Sequence, residues 1–190
     1  MIGCKEAPKG PLPILGKITM EDGVEKHHSV PQFSLINQLG QPMTNEDFKD
    51  DIYMVDYFFI SCPSICPRVK KEMLRIYQEY KDTPGVKLVS ISMDPKRDTP
   101  EKLKAYAEKM GVDHDKWIFL TGDKDHILDM SDAFFIVAYE DEDAPGGFDH
   151  SGKIVLVDKK SNIRAFAEGT DPESVTSFIP QIGQLLDEYK

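Results

Sequence analysis

The sequence predicts an α/β fold: a central mixed β-sheet flanked by helices, with an N-terminal extension in front and a β-hairpin near the end. Three observations predict it. Apolar runs of strand length alternate with segments whose apolar residues recur at helical spacing. The series closes on two strands joined by a short turn and then a last helix, which mixes antiparallel with parallel pairing. Of the 190 residues, 40% are hydrophobic, enough for one sizeable core and no second domain.

Residues 1–29 mix Pro, Gly, charges and the pair His27-His28 around one weak apolar patch from Leu12 to Ile18, and read as a tether. Compact structure is expected from Val30, giving a domain of residues 30–190. Phe33 to Ile36 suggests a short strand, Asn37 to Gly40 a turn, and Thr44-Asn-Glu-Asp47 a capped helical turn. The run Ile52-Tyr-Met-Val-Asp-Tyr-Phe-Phe-Ile60 reads as a buried strand. A helix follows on Val69, Met73, Ile76, Tyr77 and Tyr80, ended by Thr83-Pro84-Gly85.

Val86 to Ser92 is the next strand. Thr99-Pro100-Glu101 then opens a helix with a cap, a proline in its first turn and an early carboxylate, and Gly111 ends it. Strands at Trp117 to Leu120 and Ile136 to Tyr139 flank a helix from Asp123 to Phe135. An acidic loop over 140–149 leads to His150, then come strands at Lys153 to Val157 and Ile163 to Ala167. Asp171-Pro172-Glu173 caps a final helix in which Pro180 predicts a kink.

The formal charge of −10, with no basic run, excludes a surface built for nucleic acid or anionic lipid. No stretch approaches the roughly 18 apolar residues of a membrane span. The start Ile2-Gly3-Cys4 is similar to the last residues of a bacterial lipobox, whose cysteine becomes acylated, so Cys4 is a candidate lipid anchor and the only expected attachment to a membrane.

The chemistry sits in Cys62-Pro-Ser-Ile-Cys66-Pro67, directly after the buried strand. Two thiols at that spacing can close a disulfide or hold a soft metal, and spacing alone leaves both open. Cys66 falls three residues before Val69 on the apolar face of the helix, so it is expected to be the more buried thiol and Cys62 the more accessible. Asp56, six residues before Cys62, either takes a proton from the buried thiol or is a hydrogen-bonded structural carboxylate. His27, His28, His114 and His126 read as surface residues. Met54, Met73, Met93, Met110 and Met130 read as core.

The order of strand, cysteine pair, helix, strand, helix, hairpin and helix resembles the thioredoxin fold, whose strand also carries an aspartate six residues before the first active cysteine. Two details depart from it: the pair is CxxxC, and Asp149-His150-Ser151 stands where thioredoxins have a cis-proline. Cys62-x-x-x-Cys66-Pro67, then Ser92-Met-Asp94-Pro95-Lys-Arg97-Asp98-Thr99-Pro100, then Leu120-Thr-Gly122, then Asp149-His150-Ser151 resembles the Sco/SenC family over residues 30–186. That family is named for synthesis of cytochrome c oxidase.

The resemblance implies a tethered thioredoxin-like protein on the periplasmic side of the bacterial inner membrane. It would bind copper, as Cu(I), Cu(II) or both, through Cys62, Cys66 and His150. Its implied partner is the copper-site subunit of a terminal oxidase, with another copper chaperone or a thiol reductant as further partners, and its implied role is metallochaperone and not turnover enzyme. Asp149 is expected to orient His150, and Gly146 and Gly147 to make its loop mobile. The alternative is a thiol–disulfide reductase in which Cys62 attacks and Cys66 resolves. Phe59, where a peroxidatic site carries threonine, argues against a peroxiredoxin.

Overall fold

The computed structural model describes residues 10–190. Its main sheet has seven strands in the order β11-β10-β5-β6-β7-β3-β4. Three central strands, β5 (Ile52–Phe58), β6 (Val86–Ser92) and β7 (Trp117–Thr121), run parallel. On one side lie β10 (Lys153–Val157) and β11 (Ile163–Glu168), and on the other β3 (Ser34–Asn37) and β4 (Pro42–Thr44), all antiparallel to their neighbours. Every residue of β5 is buried, as a central strand covered on both faces must be.

Four helices cover the sheet: α1 (Cys66–Tyr80), α2 (Pro100–Met110), α3 (Lys124–Ser131) and α4 (Pro172–Asp187). Lys70 of α1 and the Tyr106 ring of α2 both pack on the Phe58 and Phe119 rings, so these helices share a face. The Tyr80 hydroxyl donates to the Ile179 carbonyl at 2.8 Å, which adds α4 to that layer. Tyr57 points the other way, to Phe134 and the Ile127 carbonyl, so α3 and the 3₁₀ turn after it cover the opposite face.

The local signals explain the boundaries. Thr99 has extended backbone ahead of Pro100, and Gly111 ends α2 at φ +67, the left-handed conformation that glycine adopts without strain. The Asp171 carboxylate accepts the Glu173 amide at 3.0 Å to start α4, which continues through Pro180 to Asp187. Thr44 and Asp47 form the expected capping box on a 3₁₀ turn over Asn45–Phe48.

Packing begins before Val30. The strands β1 (Ile18–Glu21) and β2 (Val24–His27) form a hairpin, and Leu12 is buried. The Arg164 guanidinium holds this lead in place by donating to the Leu12 and Pro13 carbonyls while pairing with Asp158 and Glu188. Cys4 lies outside the described residues. The acidic segment also carries structure: β8 (Ala138–Glu140) pairs with β9 (Phe148–His150), setting His150 opposite Ala138.

Candidate metal centre

The site lies where β5 ends and α1 begins. The chain leaves β5 through Phe59, whose carbonyl accepts the Cys62 amide at 3.2 Å, and turns into α1 at Cys66. Ile65 supplies no side-chain cap, and the first turn of α1 has no acidic residue, so its amide groups and dipole favour negative charge on the cysteine loop. β9 brings His150 over this loop. The Phe59 ring joins the two halves, packing on Phe148 at 5.5 Å and edge-on against His150 at 6.1 Å.

One donor atom from each of Cys62, Cys66 and His150 lies within 4.8 Å of the others, the only such metal-competent group among the described residues. Donors so spaced can together hold one soft metal ion. Both cysteines are free thiols. They are nearly equally enclosed, 8% exposed for Cys62 and 5% for Cys66, so the expected contrast in accessibility is slight.

The protonation pattern follows from the contacts. His150 Nδ1 lies 3.3 Å from the Ser151 carbonyl, which can only accept, so Nδ1 carries the proton and Nε2 presents its lone pair. That lone pair faces Cys66 Sγ at 3.2 Å. Burial holds the imidazole below its usual pKa, keeping it neutral and able to ligate. Burial likewise drives the Cys66 thiol far up, reinforced by neighbouring Cys62. For Cys62 burial acts in the same direction, but hydrogen bonds from the Cys66 thiol, the Ser64 and Cys66 backbone and the Ser64 hydroxyl together outweigh it, leaving this thiol below its ordinary value.

Asp149 does not orient His150. Alternation along β9 sends it outward, where it accepts the Tyr139 hydroxyl at 2.9 Å, and Ser151 serves the imidazole instead. The loop before β9 is tied at Gly146: Arg97 Nη2 donates to its carbonyl at 2.7 Å, and at φ +93 it lies so close to Phe59 that a Cβ would stand 2.5 Å from the ring.

The Asp94-Pro-Lys-Arg97-Asp98 turn therefore does more than start α2. Arg97 holds the histidine side, while Asp98 Oδ2 accepts the Ile60 amide at 3.0 Å and the Ser92 hydroxyl at 2.6 Å, holding the cysteine side. The turn is visible in the sequence, but these ties are not. The signal was the two charges just before a helix cap, adjacent to no obvious partner.

Asp56 is the structural carboxylate of the two readings. Both its oxygens are hydrogen-bonded, by Lys70 at 2.7 and 3.0 Å and by Ser90 at 2.5 Å, in a buried ion pair. His28 Nε2 bonds the Ala133 carbonyl at 2.8 Å and its ring stacks on Phe135. His114 meets Gln38. Met54, Met73, Met93 and Met130 are buried, and Met110 is packed against the core.

The sequence model of the SCO1/SenC family matches residues 21–184. The chain belongs to the SCO1/SenC family. It is 31% identical over 174 residues to an SCO2-like protein of Rickettsia conorii, covering 88% of this chain and 82% of the relative. Among solved structures it is similar to a SCO1/SenC family lipoprotein from Bacillus anthracis, with a TM-score of 0.76, 27% identity and coverage of 83% and 95%. Arabidopsis thaliana ScoI with copper bound gives a TM-score of 0.69 at 25% identity, covering 84% of this chain and 98% of that one. These neighbours carry the thioredoxin-like fold expected from the order of elements.

Proposed function

We propose that this protein is a copper carrier that serves assembly of the copper site of cytochrome c oxidase. Copper is its cargo, and Cys62, Cys66 and His150 hold it. The observation that carries this reading is the convergence of two thiols and a neutral imidazole within 4.8 Å, with the imidazole lone pair turned toward the Cys66 sulfur. Thiolates are soft donors that select Cu(I), and imidazole suits either oxidation state, so the set can hold both. The copper-bound Arabidopsis relative and the family membership support it.

Loading displaces the Cys66 proton, whose retention in the metal-free protein follows from burial. The acceptor is the copper-site subunit of a terminal oxidase, which takes the ion by ligand exchange. Another copper chaperone or a thiol reductant supplies the loaded or reduced state. Location outside the cytoplasm, with a lipid at Cys4, fits this task, and the related Bacillus anthracis protein is a lipoprotein. Among the described residues no helix is long and apolar enough to cross a membrane.

The thiol–disulfide reductase reading keeps one observation in its favour, the lowered pKa of Cys62. In that reaction the Cys62 thiolate attacks a partner disulfide and Cys66 displaces the partner thiol, leaving Cys62–Cys66 oxidised and the partner reduced. The deciding experiment mixes Cu(I)-loaded protein with the reduced, metal-free soluble domain of the oxidase subunit and measures copper in each after separation. Transfer by the wild type and none by His150→Ala supports the carrier. Reduction of an oxidised subunit at equal rates by both proteins, with no metal transferred, would replace it with the reductase.

A further inference from the structure

One turn of helix below Cys66 lies a buried ion pair that the copper chemistry leaves unused. Lys70 follows Cys66 by four residues, a rise of about 6 Å, and both face inward, at 4% and 5% exposure. Lys70 Nζ donates to Asp56 Oδ2 at 2.7 Å, Asp56 Oδ1 at 3.0 Å and Ser90 Oγ at 2.6 Å, so its three protons are satisfied. Ser90 in turn donates to Asp56 and accepts Trp117 Nε1 at 2.9 Å. The Phe58, Trp117 and Phe119 rings enclose the ammonium, Phe58 at 4.0 Å.

Such a pair is an expensive way to fill a core. Desolvating two charges consumes most of what their attraction returns, and apolar side chains of similar volume often stabilise more. Its distinctive property is fixed, opposite charge in a poorly screened place. Two thiolates and a neutral imidazole carry a net charge of −1 around Cu(I) and zero around Cu(II). A buried cation therefore favours the cuprous site, and a buried anion the cupric one.

Resting on the copper reading above, we propose that the Asp56–Lys70 pair sets the oxidation-state preference of the centre. Lys70 is a positioning residue that stabilises Cu(I), and Asp56 is its counterweight. Lys70 stands one helical turn from Cys66 on the same buried side of α1, and Asp56 is bonded directly to its ammonium. At the spacing of a helical turn in a partly screened interior, removing either charge is worth on the order of tenfold in the ratio of Cu(I) to Cu(II) affinity. That is a shift of about 59 mV for the one-electron couple.

The test measures Cu(I) and Cu(II) affinities separately, by chelator competition, for wild type, Lys70→Met, Asp56→Asn and the double variant. Lys70→Met is expected to lower the Cu(I):Cu(II) ratio about tenfold and Asp56→Asn to raise it by a similar factor, with the double variant returning to within about threefold of wild type. A merely structural pair would lower the melting temperature of both single variants and leave the ratio alone. The proposal is overturned unless the two single variants move the ratio in opposite directions. If neither retains the wild-type near-ultraviolet circular dichroism, the pair is a requirement of the fold and the proposal also fails. A wild-type protein that takes up no copper would instead sink the copper reading, and this inference with it.

Discussion

Asp98 links the sheet to the stem of the cysteine loop, and its removal has a calculable consequence. The residue is 2% exposed, and its Oδ2 takes the Ile60 amide at 3.0 Å and the Ser92 hydroxyl at 2.6 Å. Asp98→Ala leaves both donors without that acceptor. Ser92 is wholly enclosed, whereas Ile60 is partly exposed and can reach water. At about 1–3 kcal/mol for a buried group left unmade, and less where water substitutes, the expected loss is about 2–4 kcal/mol. That is a large share of the roughly 5–15 kcal/mol by which domains are stable.

Burial raises the Asp98 pKa, so its charge is held at a desolvation cost that a neutral side chain avoids. Asp98→Asn, which keeps an oxygen in place, is therefore expected to lose about 1 kcal/mol or less. Urea titration of the metal-free proteins, with an unchanged slope, checks both values. Because Ile60 stands two residues before Cys62, copper affinity is expected to fall in the alanine variant as well. An alanine variant within about 0.5 kcal/mol of wild type, or an asparagine variant equally damaged, would refute the reasoning.

Three further outcomes follow from the site. Gly146→Ala drives a Cβ into the Phe59 ring at φ +93, whereas Gly147→Ala, at φ +90, meets nothing nearer than Arg97 at 3.9 Å. The first is expected to lower melting temperature and copper affinity clearly more than the second, and equal effects would contradict the Phe59 contact. In reduced, metal-free protein, iodoacetamide followed by peptide mass mapping is expected to label Cys62 before Cys66 at every pH below 9, because one thiol lies below and the other above the ordinary 9.0. His150 is held below its ordinary 6.5, so the unfolded chain binds a proton that the folded one refuses. Its stabilising contribution is complete above pH 6.5 and lost as pH falls from there toward the folded value, and His150→Ala melts should lack that part of the slope.

What the sequence made legible was local. α2 runs from Pro100 to Met110 as its cap, proline and glycine foretold, and β6 and β10 occupy the expected runs, because those signals lie within the elements themselves. The β1–β2 hairpin had a signal in the sequence, since Ile18-Thr-Met-Glu21 alternates and Asp22-Gly23, both at positive φ, is a two-residue hairpin turn, but its Ile18, Met20 and Val24 side chains lie exposed rather than in the core. Cys62 and Cys66 stood out by their spacing, and His150 came from the family resemblance. The hydrogen bonds that hold them did not, since Arg97, Asp98, Ser151 and Phe59 act on partners far away in the chain or through the backbone. Lys70 was not singled out in the sequence, although it stands on the apolar face that carries Cys66, Val69 and Met73; Asp56 supplies its buried counter-charge.

The most direct measurement is an anaerobic titration of the reduced protein with Cu(I) and with Cu(II), comparing wild type with His150→Ala. Wild type is expected to bind one equivalent tightly, and the variant to lose at least about tenfold in affinity while keeping its fold. Equal affinity in the two proteins would contradict the three-ligand site.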